Sequence, residues 1–189
     1  MKIPIEISAR HIHLSQKDIE LLFGKGYQLK PMHKISQPGQ FASQETIVLI
    51  NKEHIIENVR ILGPARKKSQ AEISLTDAYK LKLNHFPPLR ISGDLKDCPK
   101  ITIRSYNNMI KIPVIIAKRH LHVSEKQAKE LDIKDKEIIK IKVLEERGLI
   151  FDNVVVRVED KSNLSFQLDT DEGNAAGINK KNSFGEIVR

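Results

Sequence analysis

Histidines two residues apart are the arrangement in this chain best suited to chemistry. Arg10-His11-Ile12-His13-Leu14-Ser15 returns as Arg119-His120-Leu121-His122-Val123-Ser124. With 7 histidines in 189 residues, chance placement gives roughly 0.2 His-x-His pairs in the whole chain, so two pairs in one repeated context mark a duplicated element. On an extended strand the side chains of i and i+2 project to the same side, about 7 Å apart along the backbone. Both imidazoles can then converge on one metal ion, and a third protein ligand plus an open position would make such a site catalytic. A pair of satisfied structural histidines is the bland alternative, and the duplication weighs against it.

The repeat also indicates where third ligands would come from. Glu72 stands two residues before Ser74, and Gln167 two residues before Asp169; each lies at the end of a strand-like run feeding a helix. The sets are His11, His13, Glu72 and His120, His122, Gln167. Two histidines and a carboxylate suit Zn2+, whereas a neutral amide is a poor zinc ligand, so the second set is expected to bind more weakly. Arg66, in the basic turn Gly63-Pro64-Ala65-Arg66-Lys67-Lys68, is available for phosphate, since a planar guanidinium takes that anion bidentately. A solvated basic turn is the competing reading. Arg10 and Arg119 fall on the parity opposite the histidines. Cys98, beside Pro99, has no neighbour that would lower its pKa, which argues against a nucleophilic thiol. His33, His54 and His85 are isolated and read as structural or solvated.

Those residues need elements to hold them. From Ile3 the apolar positions Ile3, Ile5, Ile7 and Ala9 share a parity with His11 and His13, which predicts one strand with the histidines continuing its inward row. Ser15 with Asp18 reads as a capping box opening a helix over Gln16 to Phe23. Strand patterns follow at Thr46 to Ile50 and Ile55 to Leu62, and Ser74 with Asp77 opens a helix through about Leu83. Asn84 to Pro99, with three prolines, is the best linker candidate. A strand from Ile110 to His122 then repeats the first geometry after a turn at Asn107-Asn108, and Ser124 with Gln127 caps a helix reaching Leu131. Strands at Glu137 to Leu144, Leu149 to Val158 and Leu164 to Leu168 precede a helix capped by Asp169 with Glu172. The predicted class is mainly β with short α-helices: two pseudo-repeated β-barrel domains capped by short helices, residues 1–95 and 96–189, with a polar, poorly ordered C-terminal tail from about 179.

Composition narrows the function class. Hydrophobic content of 40% and charged content of 30% are those of a globular protein. No apolar run approaches the roughly 20 residues needed to cross a bilayer, so no membrane association is expected. The N-terminus enters a strand pattern at once, leaving no room for a secretory leader, and the single Cys98 excludes an intramolecular disulfide. A cytoplasmic location is therefore expected. The 32 Lys+Arg against 24 Asp+Glu give +8, a balance that attracts phosphate-bearing ligands. No helix-turn-helix, zinc-finger, RNP-like, Rossmann or P-loop pattern is present, which argues against a nucleic-acid partner.

The quoted stretches, together with Ser36-Gln-Pro-Gly-Gln-Phe41, Leu62-Gly-Pro-Ala-Arg-Lys67, Glu72-Ile-Ser-Leu-Thr-Asp-Ala78, Ser92-Gly-Asp-Leu95, Arg147-Gly-Leu-Ile-Phe-Asp-Asn153 and Asp169-Thr-Asp-Glu-Gly-Asn-Ala175, resemble the phosphate propanoyltransferase family of phosphotransacylases over nearly the whole chain. The resemblance implies two β-barrel domains, two zinc ions and interconversion of a short-chain acyl-CoA plus phosphate with acyl phosphate plus CoA. It places His11, His13 and Glu72 on one zinc, His120 and His122 on the other, and Arg66 on phosphate. The family's third ligand at the second zinc is a histidine where this chain has Gln167. The resemblance further implies a homodimer, and the absence of a microcompartment-targeting extension implies a free cytoplasmic enzyme. Two alternatives stand beside it: a zinc-dependent thioester or acyl-phosphate hydrolase, and a catalytically weakened CoA- or metal-binding homologue.

Overall fold

The computed structural model of the chain describes residues 1–106, 108–178 and 182–188. In chain order its first elements are β1 (Ile3–Ile7), β2 (His11–His13), α1 (Gln16–Phe23), β3 (Pro31–Lys34), β4 (Phe41–Asn51), β5 (His54–Gly63), β6 (Gln70–Glu72), α2 (Leu75–Lys80) and β7 (Leu89–Arg90). Then come β8 (Lys100–Arg104), β9 (Met109–Ala117), β10 (His120–Val123), α3 (Glu125–Leu131), β11 (Ile138–Val143), β12 (Ile150–Val158), β13 (Ser165–Leu168), α4 (Thr170–Ala175) and β14 (Phe184–Val188).

These strands close two six-membered rings. One runs β1-β13-β10-β12-β11-β14 and back to β1. The other runs β4-β5-β2-β6-β9-β8 and back to β4. The pairing senses match: β2 is parallel to β5 and antiparallel to β6, and β10 is parallel to β12 and antiparallel to β13. The mainly-β class with short helices is as expected from the sequence.

The division of the chain is not. One compact unit comprises Met1–Ala9, Ser36–Pro38 and Lys118–Arg189, and the other Arg10–Ile35 and Gly39–Ala117. The boundary at residue 95 is replaced by an exchange of leading strands. β1 completes the ring of the second repeat by lying between β13 and β14, and β9 completes the ring of the first by lying between β6 and β8. Asn84 to Pro99 is accordingly no linker; it carries β7, which pairs with β9 inside one unit. The C-terminal segment is likewise structured, because β14 supplies the pairing that joins β1 to β11, and Gly185 packs where a Cβ would press on Ile141. Residues 179–181 and 189 of the expected tail, and Asn107 of the expected turn, lie outside the described residues.

The inward histidine row is corrected too. The expected continuous strands break between Ile7 and His11 and between Ala117 and His120, and the alternation changes face across each break. Ile12 and Leu14 are fully buried in one core with Ala71, Ile73, Ile112 and Val114. Leu121 and Val123 are buried in the other with Ile3, Ile5, Phe166 and Leu168. Burying each large aliphatic side chain is worth about 1.5–3 kcal/mol, so these residues take the barrel interior, and the histidines between them turn to the outer face.

The short helices are set by their caps. Ser74, Ser124 and Asp169 each form a full capping box with the residue three positions on. At α1 only half the box forms: Ser15 Oγ accepts from the Asp18 backbone N–H, while the Asp18 carboxylate takes hydroxyl hydrogen bonds from Ser15 and Ser69. No helix among the described residues is long and apolar enough to cross a membrane.

Candidate functional site

The first His-x-His motif is positioned by register. β2 and β6 run antiparallel with His11 opposite Glu72 and His13 opposite Gln70, so both imidazoles and the carboxylate stand on one outer face. His11 Nε2 lies 3.2 Å from His13 Nε2 and 3.6 Å from Glu72 Oε2, and His13 Nε2 lies 3.7 Å from Glu72 Oε1. Ligands about 2.0–2.1 Å from a tetrahedral ion stand about 3.3–3.5 Å from one another, so the three are spaced as a zinc set would be. His13 Nδ1 sits 3.3 Å from the Leu62 carbonyl oxygen, a pairing that puts the proton on Nδ1 and leaves the Nε2 lone pair facing the group. Residues 11, 13 and 72 are all buried.

Electrostatics fit that role. Burial pushes the Glu72 carboxyl up, but His11, His13, the Ser92 hydrogen bond and Arg66 outweigh it and hold the group at about 2. Burial lowers His13 well below the ordinary imidazole value, followed by His11 and Arg66, against the opposing pull of Glu72. These two directions compete, since a neutral His13 supports the carboxylate less. The state consistent with both is an ionised Glu72 beside a neutral His13, with Arg66 as a permanent cation, which is the protonation a metal ion requires.

A polar network backs the carboxylate. Ser92 Oγ donates to Glu72 Oε1 at 2.6 Å and accepts from Arg66 Nη1 at 3.0 Å and from Gln70 Nε2 at 2.9 Å. The Gly93 N–H donates to Gln70 Oε1 at 3.0 Å. The loop carrying Arg66 is fixed at both ends. Gly63 packs where a Cβ would collide with the Phe41 ring, and the Arg66 N–H donates to the Leu14 carbonyl oxygen at 2.8 Å. Arg66 is thereby joined to Glu72 through one hydroxyl, while Lys67 and Lys68 are exposed.

The second motif repeats the framework with different chemistry. β10 and β13 pair with His120 opposite Gln167 and His122 opposite Ser165. His120 Nε2 lies 3.1 Å from His122 Nε2, and His120 Nδ1 lies 2.8 Å from the Lys118 carbonyl oxygen. Gln167 occupies the register position of Glu72, and its Nε2 donates to Glu6 Oε2 at 3.3 Å. Among the described residues the grouping of three His, Cys, Asp or Glu side chains able to hold a metal is His11, His13 and Glu72, with mutual distances within 4.8 Å.

The arginines that open the motifs turn to the capped helices. Arg10 Nε pairs with Asp77 Oδ1 at 2.8 Å, and Arg119 Nε with Glu172 Oε1 at 2.7 Å. Ser92, Gln70 and Glu6 were not identified as site residues from sequence. Gln70 shares the strand parity of Glu72 and was open to detection on that ground, whereas Ser92 was hidden inside a segment read as linker. His54 pairs with Glu53 at 3.0 Å, and burial raises the Cys98 thiol, so neither joins the site.

The chain is similar to known proteins along nearly its full length. A family model described as Phosphate propanoyltransferase matches residues 4–179. A phosphate propanoyltransferase of Thermotoga maritima is 48% identical over 180 residues, covering 94% of this chain and 85% of the relative. Proteins of the same name from Alkaliphilus metalliredigens and Salmonella typhimurium are 46% and 41% identical, covering 100% and 98% of this chain and 89% of each relative. With the family model spanning almost every element and these identities over whole chains, the protein belongs to the phosphate propanoyltransferase family.

Proposed function

We propose that this protein is a phosphate acyltransferase interconverting a short-chain acyl-CoA plus phosphate with acyl phosphate plus CoA. The observation that carries the reading is the link Arg66–Ser92–Glu72, which ties an anion-binding guanidinium to the His11, His13, Glu72 group. Phosphate transfer to an acyl group needs both a clamp for the nucleophile and stabilisation of charge on the carbonyl oxygen and the departing sulfur.

Arg66 holds phosphate through its planar fork. A phosphate oxygen forms a bond to the thioester carbonyl carbon, the C–S bond breaks, and the electron pair leaves with CoA as thiolate. His11, His13 and Glu72 would hold Zn2+, and their donor types, protonation and spacing fit that ion. When bound there, the ion supplies Lewis acidity for the developing oxyanion and the leaving sulfur. Ser92 does not act as a nucleophile: its hydroxyl donates to Glu72 and accepts from Arg66 and Gln70. With the Cys98 thiol raised by burial, direct attack without an acyl-enzyme is the step these residues support. The +8 charge favours a substrate bearing several phosphates. Family membership also supports a homodimer, measurable by light scattering, and a cytoplasmic location.

Thiol release from acetyl-, propanoyl- and butanoyl-CoA, with and without phosphate and alongside metal analysis, tests the reading. Phosphate-dependent release with formation of acyl phosphate is expected. Phosphate-independent release makes the protein a hydrolase, CoA binding without turnover makes it a weakened homologue, and an acyl-protein trapped by mild quench overturns direct attack.

A further inference from the structure

The second station lacks a carboxylate at the position of Glu72, yet one stands on the neighbouring strand. β13 lies between β10 and β1, and Gln167 is the direct register partner of His120 on one side and of Glu6 on the other. All three share the outer face, since Ile5, Leu121, Phe166 and Leu168 on the same strands point into the core. The Gln167 NH2 donates to Glu6 Oε2 at 3.3 Å, and the same Oε2 accepts from Ser36 Oγ at 2.5 Å. Ser36 is itself anchored, because Asn163 Nδ2 donates to its carbonyl oxygen at 2.6 Å, and Gln37 Nε2 donates to Ser165 Oγ at 3.0 Å. Glu6 is therefore held in place from outside the histidine pair. The corresponding strand position in the other ring is Ile115, the partner of Glu72, which has no carboxylate to offer.

The nitrogen and oxygen of a planar amide diverge from one carbon, so a Gln whose nitrogen is drawn toward Glu6 on β1 turns its carbonyl oxygen away from Glu6 and leaves it available as an acceptor or ligand. Hydrogen bonding of the NH2 to a carboxylate also shifts electron density onto that oxygen and makes it a better ligand, as an acidic partner does for a ligating histidine. The geometry points to Glu6 as the positioning carboxylate of the second station: it fixes Gln167 so that the amide oxygen completes a metal site with His120 and His122. This rests on the zinc reading of the histidine pairs. The station keeps one formal negative charge nearby, supplied by Glu6 behind a neutral ligand instead of by the ligand itself.

Zinc affinities are measured by competition with a chromogenic chelator, and ligand geometry by the visible spectrum of the cobalt-substituted protein. The unmodified chain is compared with Glu6→Gln, Gln167→His and the double variant. Glu6→Gln keeps an acceptor for Ser36, and unchanged affinity of the tighter equivalent reports an intact fold. The expected result is two equivalents in the unmodified protein, with Glu6→Gln weakening the looser one by about 10–100-fold and altering its cobalt bands. In the Gln167→His background the same change has a several-fold smaller effect, since a histidine ligand does not need Glu6 to orient it. A looser equivalent indifferent to Glu6→Gln, or equally sensitive in both backgrounds, overturns the assignment. So does binding of a single equivalent, which leaves the first station's reading intact; a chain that binds none overturns both.

Discussion

The two His-x-His stations share a scaffold and differ in what surrounds it. At both, a short strand carries the imidazoles outward, an antiparallel partner brings residue 72 or 167 opposite the first histidine, and the Nε2 atoms face each other at 3.2 and 3.1 Å. At the first, the partner is an ionised carboxylate backed by Ser92 and joined through it to Arg66. At the second it is an amide backed by Glu6. Register alone reproduces the geometry of the histidine pair, but side-chain identity at one strand position decides whether a carboxylate stands beside the two imidazoles or one residue further away.

That contrast can be broken most severely at the first station. Glu72→Ala is expected to lower turnover by roughly 10³-fold and to remove the tighter zinc equivalent; thiol release and metal analysis report both, and retention of that equivalent would sever Glu72 from the metal. Arg66→Ala is expected to lower turnover by roughly 10²-fold with metal content unchanged, and unaltered turnover removes Arg66 from phosphate binding. Ser92→Ala leaves Glu72 without its hydroxyl donor and should weaken the tighter equivalent by about 10-fold in chelator competition, with the looser one unaffected. The smallest change is a gain: Gln167→His should tighten the looser equivalent several-fold to about 10-fold, and a titration unchanged by it would mean that residue 167 does not reach the ion.

Much of this was legible in the sequence because the signals are local. Ser15, Ser74, Ser124 and Asp169 all cap helices, and α1 and α3 begin and end at the residues their caps imply. Glu72 and Gln167 were found by their equal spacing from a cap. What escaped depends on long-range pairing. Ile3 to His13 keeps one parity along the chain, but the backbone leaves one barrel after Ile7 and enters the other at His11, so parity could not carry the facing across the break. Ser92 belongs to the site only because a proline-rich segment folds over β6, and Glu6 only because β1 pairs with β13. Neither contact leaves a periodic trace.

The exchange of leading strands sets an order on how the chain can be made. Apart from Ser36–Pro38, every residue of the unit spanning 10 to 117 is contiguous, so its ring can close once β9 has left the ribosome. β1 is synthesised before the rest of its ring, and among the described residues its strand partners are β13 and β14. The apolar Ile3 and Ile5 therefore wait for β13 and β14 to emerge, long after the other ring can close, before the neighbours that pair with them are present.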